Sequence, residues 1–401
     1  MRVLVAPDKF AGTLTAAEAA TAIADGWRRR RPDDAVVPAP MADGGPGFVD
    51  ALHAGLGGRL HAVTVAGPLG RPTPATLLLV DGPAPAVDGQ APAEADRPTG
   101  DPPTGDPPAG PTAYVESAQA CGLALLPRDP SGRRPEPDIA EVATTAGVGQ
   151  LVAAALDAGA ATVVVGLGGS GTNDAGAGLL AALGATSVPP HALEHGASRL
   201  RDLTRVDLAP ARTRVGTTRL VAASDVSNPL LGLRGATNVY GAQKGLGQER
   251  LFAVDGALTH LAHLLDRAAA DEPGAGAAGG LGYALALLGA SRRPGFDLVA
   301  DATGFTAQVT TADLVLTGEG SLDPQTFTGK VVAGVAGRAA AAGVPAVALA
   351  GRLEVGSREL RAAGLDGAYG LVDAYGAQRA LAEPAAALAD LAERVARTWG
   401  R

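Results

Sequence analysis

Thr162-Val163-Val164-Val165-Gly166-Leu167-Gly168-Gly169-Ser170-Gly171-Thr172-Asn173-Asp174 is the stretch on which the fold turns. A short apolar run rich in valine gives way to glycines and small polar residues, and an Ala-rich segment at 175–184 follows. Periodicity reads this as buried strand (162–167), loop, then helix. The same order recurs outward in both directions. Arg2 to Ala6 reads as a strand, Thr15 with Glu18 as a capping box, and Ile23 and Trp27 as the continuation of a helical face. Val36 to Met41 is a second strand. The loop Ala42-Asp43-Gly44-Gly45 follows, with Pro46 suited to a first helical position and Phe48, Leu52 and Leu56 at helical spacing.

Further along, residues 146–158 read as helix, Arg219 to Ala223 as strand, and 251–267 as a long amphipathic helix. Val299, the run Leu314-Val315-Leu316 and Ala346 to Leu349 mark later strands. The alternation predicts an α/β protein with largely parallel sheets. Residues 82–113 break it with Pro, Gly, Asp and Ala, including Thr-Gly-Asp-Pro-Pro twice, at 99–103 and 104–108. Such a stretch has too little apolar surface to fold and reads as a disordered insertion between strands at 75–80 and 113–117.

Composition bounds the function. The chain has 401 residues, enough for two or three domains, and 46% are hydrophobic but only 3% aromatic. Its cores must therefore be built of Ala, Val and Leu. A net charge of −8 argues against a nucleic-acid or membrane-surface partner. An anionic substrate must then be met by a local positive site. Cys121 is the one cysteine, so no intramolecular disulfide forms and a reducing, cytoplasmic setting is expected. No apolar stretch is long enough for a membrane span, and the first residues are too short for a signal-peptide core.

The only lysines are Lys9, Lys244 and Lys330, and the only asparagines Asn173, Asn228 and Asn238; arginine supplies the other positive charge. Surface lysine exchanges with arginine readily, so the survivors mark places where arginine does not fit. All six lie in Gly-rich loops between strand and helix. Five loops carry the candidates: Pro7 to Thr13, Asp43 to Gly45, Gly166 to Asp174, Ser224 to Gly245, and Thr317 to Lys330. Ligands of parallel sheets bind where strands end and backbone donors point outward. Carboxylates there could hold Mg²⁺ or accept a hydroxyl proton, and lysines and amides could neutralise phosphoryl oxygens. Any single such loop is as often a plain helix cap.

Two motif tests narrow the chemistry. Gly329-Lys330 is followed by Val331 and lacks the upstream glycine, so there is no Walker-type phosphate loop. Gly166, Gly168 and Gly171 fit a dinucleotide fingerprint, but no acidic residue stands about 20 positions on to bind a ribose. The histidines show no metal spacing; His260 and His263 share a helical face, and Cys121 reads as core.

Taken together, Ala6 to Leu14, Met41 to Gly45, Gly166 to Ala185, Ala223 to Lys244, Pro273 to Gly282 and Leu314 to Lys330 resemble the bacterial glycerate kinase family of the glycerate 2-kinase type. The resemblance covers nearly the whole chain apart from 82–113. It implies transfer of the ATP γ-phosphate to D-glycerate with Mg²⁺, giving a phosphoglycerate, the 2-phosphate preferred. It also implies two α/β domains, one inserted within the other, with the active-site cleft between them. The outer domain is placed at 1–65 plus 290–401 and the inserted one at 66–289. The chain departs from the family pattern at Ala11 (usually Lys), Pro46 (usually Glu), Gly171 (usually Ala) and Ala175 (usually Gly).

On this reading Lys9, Lys244, Asp174 and Asp225 are expected to be catalytic, with Asp174 and Asp225 as metal ligands. Gly168, Gly169, Ser170, Thr172, Asn173, Glu319, Asp323 and Lys330 are assigned to the nucleotide. Asp8, Asp43, Gly44, Gly45 and Asn228 are assigned to the acceptor. Whether a given carboxylate is base or metal ligand stays open, as does oligomeric state. The alternatives are an NAD-dependent oxidoreductase, motivated by the fingerprint, and a catalytically silent small-molecule-binding protein, motivated by Ala11 and Pro46.

Overall fold

The computed structural model describes residues 1–10, 12–82, 108–327 and 331–400. The strands are β1 (Arg2–Pro7), β2 (Ala35–Pro38), β3 (Arg59–Ala66), β4 (Pro72–Val80), β5 (Thr112–Glu116), β6 (Thr162–Gly166), β7 (Thr186–Val188), β8 (Arg205–Asp207), β9 (Arg219–Ala223), β10 (Ser291–Arg293), β11 (Leu314–Gly318), β12 (Ser321–Leu322), β13 (Ala346–Ala350), β14 (Arg352–Leu353) and β15 (Gly367–Gly370). The chain divides into two compact units, each built on its own sheet. The first is Met1–Asp43, Asp50–Gly57 and Gly295–Arg401; the second is Gly44–Val49 and Gly58–Pro294.

In the first unit the sheet order is β15-β13-β11-β1-β2, and every pairing is parallel. Its central strands are apolar on both faces, as a parallel sheet covered by helices requires. Val3, Val5, Leu314, Leu316, Val347 and Leu349 are all buried in one core with Ile23 and Trp27. The helix Ala16–Arg30 opens on the expected capping box: the Thr15 hydroxyl accepts from Glu18 N, and Glu18 accepts from Thr15 N. The Trp27 indole donates to Asp34 at 2.9 Å, so its polar end is satisfied inside the core.

The second unit has the order β10-β9-β6-β5-β4-β3, parallel from β10 to β5 and antiparallel across β4 and β3. Its core joins Leu77, Val115, Val165 and Leu220 to helix residues such as Val148, Leu258 and Tyr283. Cys121 is fully buried there, as expected for a core residue.

Several expectations change. β3 pairs with β4 along its whole length, from Arg59↔Leu79 to Ala66↔Pro72, so a boundary between 65 and 66 would cut a strand. Val299 lies in the helix Gly295–Ala302, not in a strand. Its short apolar run fits a buried helical face equally well. Pro46 occupies a turn ahead of the helix Phe48–Leu56 rather than its first position. The long helix expected at 251–267 is Gln248–Leu264. Of the expected insertion at 82–113, residues 83–107 lie outside the described residues, and its last part already forms β5.

Candidate active site

In the first unit β1 and β11 run side by side, with Pro7 opposite Gly318. Asp8 N donates to Gly318 O at 2.8 Å, and the Thr317 hydroxyl donates to Ala6 O at 2.9 Å. The loop bearing Asp8 and Lys9 and the one bearing Glu319 therefore leave from neighbouring strand ends. Asp8 is only 5% exposed. Its carboxylate accepts from Lys9 N at 2.7 Å and lies 3.5 Å from the Lys9 ammonium. Burial pushes the Asp8 carboxyl up, Lys9 pulls it back, and the charges of Asp43 and Glu319 push it up again, to about 7. Asp8, Lys9, Asp43 and Glu319 thus form one electrostatic group. Asp323 caps the short turn Pro324–Phe327, its carboxylate accepting from Thr326 N at 3.1 Å. Lys330 and Ala11 lie outside the described residues.

The second unit holds the glycine-rich loop after β6. Gly168 N donates to Gly44 O at 3.0 Å, and a Cβ on Gly168 would sit 2.4 Å from Gly45 Cα. Gly44 itself adopts φ +89° and packs against Ala223 O. Only glycine allows these backbones to lie so close. At Gly171, where the family pattern has Ala, a Cβ would meet the Leu126 side chain at 2.8 Å, so an alanine there requires Leu126 to shift. Gly169 O accepts from Leu123 N, and Gly171 N donates to Cys121 O, so the loop is fastened along its length.

Lys244 lies beneath this loop and is 3% exposed. Its ammonium donates to Ser170 Oγ at 3.0 Å and to Thr172 O at 2.7 Å. Burial draws its pKa down to about 8. Asp174 is fully buried. One carboxylate oxygen accepts from Thr145 N (2.9 Å), Thr145 Oγ1 (2.8 Å) and Gly178 N (3.2 Å), and the other from Gly176 N (3.0 Å). Burial raises the Asp174 carboxyl, and these donors pull it back. With its oxygens engaged by four donors, Asp174 is arranged to hold the loop, and its surroundings lend no support to the expected Asp174–Asp225 metal pair.

The asparagines also tie loops together. Asn173 donates to the Thr237 hydroxyl at 2.9 Å; Asn228 donates to Arg234 O and accepts from the Tyr240 hydroxyl, each at 2.8 Å. Asp225 is half-buried and follows Ser224 at the end of β9. Among the described residues no three His, Cys, Asp or Glu side chains stand close enough together to hold a metal ion alone.

Two residues of the second unit escaped the sequence reading. Thr145 supplies two of the donors to Asp174. Glu116, 5% exposed, accepts from Gly47 N at 3.0 Å and Val49 N at 3.4 Å, fixing the backbone after Gly45. A lone carboxylate ending the apolar strand β5 was the signal available for it.

The model of the glycerate kinase family matches residues 3–400. The chain is 37% identical to the glycerate kinase of Bacillus subtilis, over 93% of this chain and 90% of that one. It is 35% identical to the glycerate 2-kinase of Escherichia coli, over 94% and 92%. A crystal structure from Salmonella typhimurium LT2, described as that of a glycerate kinase 2, superposes with a TM-score of 0.75 at 36% identity, covering 100% of this chain and 98% of that one. The chain belongs to the glycerate kinase family. The dinucleotide reading is left without support: the helix after the fingerprint begins only at Ala177, well past Gly171, whereas that motif opens directly into its helix.

Proposed function

We propose that the protein is an ATP-dependent glycerate kinase that phosphorylates D-glycerate, at carbon 2, with Mg²⁺. The observation that carries this is the kinship with glycerate kinases along the whole chain. The site chemistry agrees with it. Phosphoryl transfer asks for positioning and charge neutralisation more than for covalent catalysis, and the loops offer backbone amides, two described lysines and several carboxylates.

Asp8 is the best candidate for general base. A carboxylate with a pKa of about 7 is half ionised near neutral pH, where a base is most effective. The acceptor hydroxyl loses its proton to Asp8 as its oxygen bonds to the γ-phosphorus, and the bond to the β-bridging oxygen breaks to release ADP. Lys9 attracts the acceptor's carboxylate or the phosphoryl oxygens. The loop from Gly168 to Asn173 is assigned to the nucleotide phosphates, with the Lys244 charge behind it; the Gly168 and Gly171 amides are already engaged with Gly44 O and Cys121 O and hold its shape. Asp323 and Lys330 are assigned to the nucleotide, and Asn228 shapes the loop that follows β9.

Mg²⁺ needs only one or two carboxylates beside phosphate and water. The hard oxygens of Asp43 and Glu319 in the first unit, or those of Asp225 in the second, suit it, and when bound it would neutralise charge on the β- and γ-phosphates. A cytoplasmic setting accords with the single buried cysteine, and no helix among the described residues is long and apolar enough to cross a membrane. The deciding experiment measures ADP release from Mg-ATP with and without D-glycerate, and identifies the phosphorylated carbon by NMR. Glycerate-independent ADP release, or none, would end the reading.

A further inference from the structure

The second unit contains a pocket at the carboxyl ends of β6, β9 and β10, with about 370 Å³ of space that includes its open mouth. Small-molecule sites are concave, mostly apolar and edged by a few placed polar groups, and this pocket has that character. Leu167, Ala222 and Ser224 contribute from the strand ends, and Ala275 and Ala286 from the opposite wall. The wall is built by close backbone contact. Tyr283 N donates to Ala275 O at 3.0 Å, and a Cβ on Gly282 would stand 2.1 Å from Gly274 O. Small side chains on both sides leave a slot faced mainly by carbon.

Three polar groups border it. The Ser224 hydroxyl accepts from Val226 N at 3.2 Å, which leaves its own proton for an acceptor in the pocket. Ser224 is 3% exposed, so that hydroxyl is sheltered from solvent. Glu272 and Arg292 are exposed lining residues. Arg292 is steadied by donation to Val226 O at 2.9 Å and by packing on Gly274.

A slot of this kind suits a flat heteroaromatic ring. Carbon on two faces matches the ring, one buried donor matches a ring nitrogen, and an exposed carboxylate matches ribose hydroxyls. A small polyhydroxy acid would leave most of its polar atoms without partners here. Leu167 also stands immediately before Gly168, the start of the loop assigned to phosphates. We infer that this pocket receives the purine nucleoside of the nucleotide, with Ser224 donating to the base and Glu272 accepting from the ribose. This assignment rests on the kinase reading above, and makes the pocket the part of the second unit that selects ATP.

The test uses calorimetry with adenosine and with ATP, in the absence of D-glycerate, on the intact protein. Ala286 is exposed on the helix Leu281–Leu287, so Ala286→Trp fills the slot without disturbing the core. The expected result is loss of adenosine binding and an ATP Kd raised about tenfold or more, with the KM for D-glycerate within about twofold of wild type. Ala286→Leu should show a smaller loss in the same direction, and Ser224→Ala should weaken both ligands about fivefold. Circular dichroism and thermal unfolding establish that the variants are folded. Folded variants that bind ATP and adenosine as wild type does would overturn the pocket assignment while leaving the kinase reading intact. A wild-type protein that binds no ATP would overturn both.

Discussion

The Lys244 ammonium donates to Ser170 Oγ at 3.0 Å and to Thr172 O at 2.7 Å, so a glycine-rich loop rests on a buried positive charge. Arginine's wide planar fork would not fit this enclosed position as the compact ammonium does. That accounts for one of the few lysines in an arginine-rich chain.

Replacing Lys244 by Met should leave Thr172 O without its donor and cost about 1–3 kcal/mol of stability. The ATP Kd should rise at least about tenfold, a shift of roughly 1.4 kcal/mol. pH adds a separate signature. The folded-state pKa of about 8 lies below the ordinary 10.5. Between these values the unfolded chain binds more protons than the folded one, so this group makes stability rise with pH over that window. Urea titrations from pH 7.5 to 10.5 should show this contribution in wild type and lack it in Lys244→Met.

Asp8 gives the opposite sign. Its pKa is raised from 3.8 to about 7, so between those values the folded state holds the extra proton and this group makes stability fall as pH rises. Asp8→Asn should abolish that contribution. If Asp8 is the base, kcat/KM for glycerate should lose an acid limb centred near pH 7, and turnover should drop about 10²–10⁴-fold. A variant with near-wild-type turnover would remove Asp8 from that role.

Gly168→Ala puts a methyl group 2.4 Å from Gly45 Cα and 2.7 Å from Gly45 N, both backbone atoms that cannot swing aside. Forcing them apart should cost about 1–3 kcal/mol and displace the loop. The expected outcome is a lower thermal midpoint together with a raised KM for ATP, measured side by side.

Asp174→Asn and Asp225→Asn should separate structure from chemistry. In Asp174→Asn the new side-chain amide offers a single acceptor oxygen and an NH₂ group where Thr145, Gly176 and Gly178 supply donors. That variant should therefore lose about 2–5 kcal/mol of stability before any kinetic effect is interpretable. Asp225→Asn should unfold within about 1 kcal/mol of wild type yet turn over at least 10²-fold more slowly. Chemical denaturation and steady-state assays of both proteins check the contrast.

Much of the α/β alternation was legible because β6, β9, β11 and β13 have apolar centres and end in glycine or alanine. Val299 lies in a helix rather than the expected strand because a run of only three apolar residues, Leu298 to Ala300, suits either a buried strand or one side of a buried helix. The pairing of β3 with β4 was invisible as a domain boundary, because membership of a sheet is decided by a partner elsewhere in the chain. In the site, residue type was readable and direction was not. Scarcity singled out Lys244, but only tertiary packing turns it inward beneath Ser170. The meeting of Asp8 with Asp43 and Glu319 likewise depends on β1 and β11 lying together, a contact between segments about three hundred positions apart. Thr145 carried no local pattern, and Glu116 only that of a lone carboxylate ending an apolar strand; their value comes from the backbone amides and carboxylate brought to them.

The order of strands in the first sheet has a bearing on synthesis. Val3 pairs with Leu314, so the amino-terminal strand cannot find its neighbour until most of the polypeptide has left the ribosome. The second unit, Gly44–Val49 and Gly58–Pro294, ends 20 residues ahead of Leu314, so all of it precedes that partner strand in the chain. The nascent protein therefore carries a finished globule while Arg2–Pro7 waits with one edge unpaired, which makes that early segment the place where chaperone protection during translation matters most.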